Sequence, residues 1–223
     1  KFGPGSQIDY LLARRCTLLS YAVQKGTDPA TGLPASDHRA IVGSISTPLP
    51  VVPTDPEVSP VVQALRSAFD RLDAAKPGYS QDLVGRRSFY DPTTFELIPN
   101  KAGDCSSTAG WAIHEVFPGF DLSNPLSTRN IAERAKAVGF TEIPWSGDPA
   151  KAEAGDFPLA KGHHVVFAYD AKRWWSTEHD ENGHATGGKP GQQPGEKVGF
   201  RAPYNSGHWY SLLRPPTTLP TTI

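Results

Sequence analysis

Cys105 stands in the string Gly103-Asp104-Cys105-Ser106-Ser107-Thr108, followed by Ala109, Trp111, Ala112, Ile113 and Val116 at helical spacing. That pattern puts a thiol in the first turn of a helix. Unpaired backbone N–H groups and the positive end of the dipole there favour thiolate over thiol. A nucleophilic cysteine also needs an imidazole within reach and a third group to orient it. His163 and His164 open the most apolar strand-like run in the chain, His164–Tyr169. Along a strand His164 shares a face with Val166 and Ala168, and His163 with Val165 and Phe167. The smaller neighbours leave more room for a substrate beside His164, which is the favoured base, with His163 as the alternative. Against this stands the bland reading of Cys105 as a small buried core residue, the usual place of a free cysteine.

The third group depends on a hairpin. Arg173–Glu178 returns after Asp170-Ala171-Lys172, and a three-residue loop sets position 178 opposite 164 on the same face. Glu178 would then accept the second imidazole N–H, whereas a four-residue loop offers Asp180 instead.

Other elements must hold these residues. Ser59-Pro60 reads as a cap and first helical residue, and Val61, Val62, Leu65, Phe69 and Leu72 form the buried face of a helix ending near Lys76. Strand-like runs at 88–90 and 94–98 lead to a helix over Cys105–Phe117, stopped by Pro118-Gly119. Another helix follows over Thr128–Val138. Later strands are expected at Lys197–Arg201 and Trp209–Arg214, after a glycine-rich loop over 183–196. Upstream, Gln7–Lys25 has apolar positions at helical spacing, with Cys16 as a core residue of that helix. Ser46–Pro60 reads as an extended proline-rich connector. The organisation is a helix and connector over 1–58, a main domain over 59–215 and a Pro/Thr linker over 216–223. Helices first and an antiparallel sheet afterwards give the α+β class.

Lys plus Arg is 22 and Asp plus Glu is 23, a net charge of −1, so no global field draws the chain to nucleic acid or an anionic membrane. No apolar run is long enough for a membrane-spanning helix. Two cysteines do not make the disulfide framework of a small secreted scaffold. The start at Lys1 suggests a processed product or a piece of a longer parent, no secretion signal is readable, and the redox compartment stays open.

Four strings carry a resemblance: Gly103–Ser107 heading a helix, the later pair Gly155-Asp156, Gly162–Asp170, and Thr177–Glu196. Together they resemble bacteriophage peptidoglycan hydrolases of the papain-like CHAP and NlpC-type superfamily. The likeness spans roughly Ser59 to Pro215; residues 1–58 show none. In that group a Gly-His-Val string opens a strand; here it reads Gly162-His163-His164-Val165, which leaves both imidazoles in play. The group's Gly-Asp-Gln-Thr-Gly-x-Glu loop is matched by Gly191-Gln192-Gln193-Pro194-Gly195-Glu196 only at Gln193 and Gly195. The spacing from Glu178 to Gly183 is short for the group, so Asp180 and Glu181 remain rivals to Glu178.

The resemblance implies a papain-like fold, with the nucleophile helix packed on an antiparallel sheet. It implies cysteine endopeptidase or amidase chemistry on the cell-wall peptide, with no metal and no cofactor. Cys105 would attack, His164 would shuttle the proton and Glu178 would orient it. Tyr79, Asp104, Ser106, Trp175 and Gln193 would contact substrate. The parent would be phage-encoded, a lysis enzyme or a tail component acting on bacterial peptidoglycan, with further modules on the same chain.

Two rivals remain. A zinc amidase needs about three converging ligands, and His163, His164, His179, His184, His208 and Asp180 are near enough in sequence to raise it, yet no HExxH or paired CxxC is present. A non-catalytic wall-binding or virion structural module could use Trp174, Trp175, Trp209, Tyr204 and Tyr210 as a platform for sugar rings. Trp174 and Trp175 are adjacent on a strand, so one ring is expected to be exposed or to line the cleft. Arg86-Arg87 reads as a solvated pair, with contact to the carboxylates of stem peptides as the alternative.

Overall fold

The computed structural model describes residues 17–23, 41–46, 58–82, 84–123 and 125–220. The chain divides into two compact units, residues 1–54 and 55–223. In the first, β1 (Thr17–Val23) pairs antiparallel with β2 (Ile41–Ser46), with a register shift between Leu18 and Ser20. The helix expected over Gln7–Lys25 is therefore corrected at 17–23. That run also holds Thr, Tyr and Val, which suit a strand, and Ile41–Ser46 supplies a partner ladder that outweighs a weak helical period. Cys16 and most of the Ser46–Pro60 connector lie outside the described residues.

The second unit opens with α1 (Pro60–Ala75), capped as expected: the Ser59 side chain accepts from the Val62 amide and Pro60 takes a position whose N–H would have no partner. Next come β3 (Gly78–Tyr79), β4 (Ala102–Gly103), α2 (Cys105–Val116), α3 (Ile131–Ala137) and β5 (Thr141–Pro144). The sheet strands follow: β6 (Phe157–Ala160), β7 (His164–Val165), β8 (Phe167–Ala168), β9 (Trp174–Thr177), β10 (Val198–Arg201) and β11 (Ser211–Arg214). Helices and small, mostly antiparallel sheets make the unit α+β.

The runs at 88–90 and 94–98 are not strands but turns, joined by a single bridge between Tyr90 and Leu97. The Thr128–Val138 helix starts three residues late, because Asn130 turns its side-chain oxygen to the Ser127 amide.

Two sheets meet at Val166. One has the order β5-β11-β6-β7 and the other β10-β9-β8. The expected single strand over 164–169 is broken there: His164–Val165 pairs with β6, and Phe167–Ala168 with β9. The register Phe167↔Trp175 and Ala168↔Trp174 is nevertheless the one the three-residue loop requires.

Alternation along β8 and β9 divides the core. Phe167 and Trp175 face the main cluster with Phe69 of α1 and Trp111 of α2, while Ala168 and Trp174 face a second cluster with Trp209. Both tryptophans are buried, Trp174 at 1% and Trp175 at 2% exposure, so the expectation that one is exposed is corrected, and Trp175 lines only the closed recess beside Cys105. The reason is tertiary: the segment carrying Tyr204 and Trp209 folds over the outer face of the sheet.

Candidate active site

Helix α2 begins at Cys105 because Asp104 caps it. The Asp104 carboxylate accepts from the Ser107 amide at 2.7 Å, and Ser107 Oγ accepts from the Asp104 amide at 2.9 Å. This is a reciprocal capping box. The other Asp104 oxygen meets Arg86 at 2.6 Å, and Arg86 also donates to Ser106 Oγ at 3.0 Å and the Leu126 carbonyl at 2.8 Å. Asp104 and Ser106, expected to contact substrate, thus have their polar atoms engaged in the helix cap and buried. Arg86 and Arg87 are not a solvated pair either: Arg87 donates to Tyr90 Oη and the Leu122 carbonyl.

The Cys105 side chain lies against β7 and is 4% exposed. Phe69, Ala109, Phe167 and Trp175 line an apolar recess beside it. Burial pushes the thiol up to about 12, the Asp104 carboxylate adds to the rise, and the Val165 and Ser106 amides oppose it. The helix terminus does act on the sulfur, but burial and the carboxylate that caps the same terminus outweigh it. At neutral pH the group is a thiol, which corrects the thiolate expectation.

Tyr79 is beside it because β3 and β4 pair in parallel, Tyr79 opposite Gly103. Burial and the nearby Cys105 raise the phenol above its ordinary range, and its oxygen accepts from Gln81 Nε2 at 2.7 Å. The Glu196 carboxylate accepts from the Tyr79 amide at 3.2 Å and the Gln193 amide at 2.8 Å, tying the glycine-rich loop to this strand. The Gln193 side chain holds that loop's own carbonyls, those of Pro190 and Gly191.

The two histidines have different places. Ala160 pairs with His164, and Lys161-Gly162-His163 makes the turn between them, with Gly162 at φ 85°. His163 is an exposed turn residue stacked on His208 at 5.7 Å. His164 opens the strand and turns inward under Trp209, whose ring lies 5.8 Å away. Its Nε2 is 3.4 Å from Ser176 Oγ and 3.8 Å from Glu178 Oε1. Burial drives His164 down to about 4; Glu178 pulls upward against this and Arg201 adds to the fall. Among the described residues no hydrogen bond joins Cys105 Sγ to either imidazole.

Glu178 follows β9, at the position that the hairpin register sets opposite His164. Its Oε1 accepts from Ser176 Oγ at 3.0 Å and from the Tyr204 hydroxyl, and forms an ion pair with the Arg201 guanidinium. Burial works against its charge, but Tyr204 and Arg201 prevail and hold the carboxyl below its ordinary value. Asp180 is turned to its own loop, with Oδ2 buried and without a hydrogen-bond partner among the described residues. Its Oδ1 accepts from the Asn182 and His184 amides at 2.8 and 2.7 Å, closing its own loop. Glu181 accepts from the Lys189 amide at 3.4 Å. Glu178 is therefore the carboxylate beside the imidazole.

An open groove of about 440 Å³ runs over this arrangement, lined by Tyr79, His163, His164, Glu178, His184 and Tyr204 among others. Cys105, Trp175 and Gln193 are not in its lining. The structure thus gathers Tyr79, His164 and Glu178 at the groove, and sets Cys105 behind Tyr79 and β7. Arg201, and Ser176 as a hydrogen-bonding partner of the imidazole, were not expected. Ser176 was findable, since a residue two before Glu178 shares its face; Arg201 needed the pairing of β10 with β9. Among the described residues no three His, Cys, Asp or Glu side chains are gathered to hold a metal ion. No known protein family model matches the chain, and no curated protein or solved structure is significantly similar to it.

Proposed function

We propose that this chain hydrolyses an amide bond of bacterial peptidoglycan, with Cys105 as nucleophile, His164 as base and Glu178 as orienting carboxylate. The fold would be papain-like, and the parent a phage lysin or tail-associated lysin. The observation that carries the reading is the convergence of three elements at one place. The capped start of α2 brings Cys105 against the β7 backbone, β7 carries His164, and β9 leads into Glu178, whose carboxylate lies 3.8 Å from His164 Nε2.

The chemistry starts from a neutral thiol and a neutral imidazole. Nε2 faces Glu178 and Ser176, so Nδ1 is the nitrogen left to take the thiol proton. As it does, Sγ bonds to the carbonyl carbon of the wall peptide, and backbone N–H groups at the start of α2 receive the oxyanion. The imidazolium returns the proton to the leaving nitrogen, the C–N bond breaks, and water releases the thioester. Since Cys105 is outside the groove lining, the Tyr79 side must open for substrate to meet sulfur.

Cys105→Ala in the full chain should abolish release of soluble fragments from purified peptidoglycan, and mass spectrometry of wild-type products identifies the bond. Undiminished release by the variant would overturn the cysteine mechanism. The burial of the thiol favours a second reading, a non-catalytic wall-binding or virion structural module. That reading expects co-sedimentation with peptidoglycan, no fragments, and equal binding by Cys105→Ala.

A further inference from the structure

The side chain that orients a catalytic imidazole holds its tautomer and stabilises the imidazolium when it forms. Here Glu178 is engaged: Oε1 accepts from the Ser176 and Tyr204 hydroxyls and is ion-paired with the Arg201 guanidinium, while His164 Nε2 stands off at 3.8 Å. The Arg201 side chain also lies over the Tyr204 ring, 4.6 Å from its centre, so the two partners of Glu178 brace each other. Tyr204 is fixed in turn by Trp174 and Trp209 at ring separations of 5.8 Å.

We infer that Arg201 and Tyr204 form a clamp on Glu178 that offsets the pull of its carboxylate on His164, making Arg201 a positioning residue of the proposed reaction. This rests on the reading of His164 as the base. A lone carboxylate at this distance would favour imidazolium. Arg201 turns that carboxylate into one half of an ion pair and itself repels a second cation. The ring then keeps an unprotonated nitrogen for the Cys105 proton. The other titratable groups lining the groove with His164 are Tyr79 on β3, His163 in its own turn, and His179 and His184. None of them is bonded to Glu178.

The test is an NMR titration of His164 in isotopically labelled full chain, which needs no lytic activity. Arg201→Gln should raise the His164 midpoint by about one pH unit, Tyr204→Phe should raise it less, and Arg201→Lys should leave it near wild type. Glu178→Gln should move it the other way, with no protonation down to the lowest pH at which the chain stays folded. Mere loosening would instead move every variant toward the ordinary histidine value, so the opposite signs distinguish a clamp from a structural prop. An unchanged midpoint in Arg201→Gln and Tyr204→Phe, or a rise in Glu178→Gln, overturns the inference. The expected shifts with fragment release persisting in Cys105→Ala would keep the clamp and discard the cysteine mechanism. No shifts with release abolished would do the reverse.

Discussion

A thiol at a helix start gains from the dipole only as far as the rest of its surroundings allow. For Cys105 the favourable donors, the Val165 and Ser106 amides, are set against near-complete burial and the Asp104 carboxylate next to it in the chain. The resting sulfur is therefore unreactive, and in the proposed reaction its activation waits until substrate displaces its cover. Peptide mapping after brief iodoacetamide treatment at pH 7 should show Cys105 alkylated at least about tenfold more slowly than in urea-unfolded chain, since the thiolate is the reactive form. The rate should keep climbing through pH 9, and a plateau below pH 8 would contradict the neutral resting thiol. The sequence placed Cys105 at a helix start correctly. It was silent on the balance of charge there, because burial depends on Phe69, Phe167 and Trp175, which reach the sulfur from distant parts of the chain.

At the scale of elements, the start of α2 is held by one residue doing two jobs. Asp104 caps the helix and neutralises Arg86, and both side chains are largely buried, at 4% and 16% exposure. Asp104→Ala removes the cap and strands the guanidinium, which should cost about 3 kcal/mol in urea unfolding. Asp104→Asn keeps an acceptor for the Ser107 amide but loses the ion pair, and should fall between wild type and alanine. Equal stability of wild type and Asp104→Ala would mean that the cap and the pair contribute nothing net. The cap was legible in the string Asp104-Cys105-Ser106-Ser107; the ion pair was not, since Arg86 reaches it from a turn whose shape no local pattern specifies. The β7 break has a similar origin. The run His164–Tyr169 reads as one strand, but Val166 donates its N–H to Pro158 and hands the chain from one sheet to the other.

For the whole molecule the two buried groups set opposite limits of pH. Unfolded His164 takes a proton near 6.5, but in the native fold it does so only at about 4. The folded value is depressed, so the native state loses stability as pH falls from 6.5 toward 4, by an amount on the order of 3 kcal/mol. Cys105 is the mirror case, ordinarily losing its proton at 9.0 but natively at about 12. Stability should fall again as pH rises from 9 toward 12. Urea midpoints should be flat from pH 7 to 8.5 and decline on both sides. His164→Gln should flatten the acid limb between pH 6.5 and 4, and Cys105→Ala the alkaline limb. A variant that leaves its limb unchanged would show that another group causes it.

The α+β class, helices α1 and α2 and the placement of Cys105 at a helix start were determined by the sequence itself, because each rests on spacing and capping within a short span; the loop length that sets Glu178 opposite His164 was left open there and fixed by the observed register. The partner of Glu178, the covering of both Trp174 and Trp175, the demotion of His163 to a turn and the burial of the thiol were decided only by tertiary structure. Each depends on segments remote along the chain: β10 bringing Arg201, the Tyr204–Trp209 segment closing the outer face, β6 fixing where the turn ends. Local patterns report which face a side chain takes; what covers that face, and hence its charge state, is a property of the packed whole.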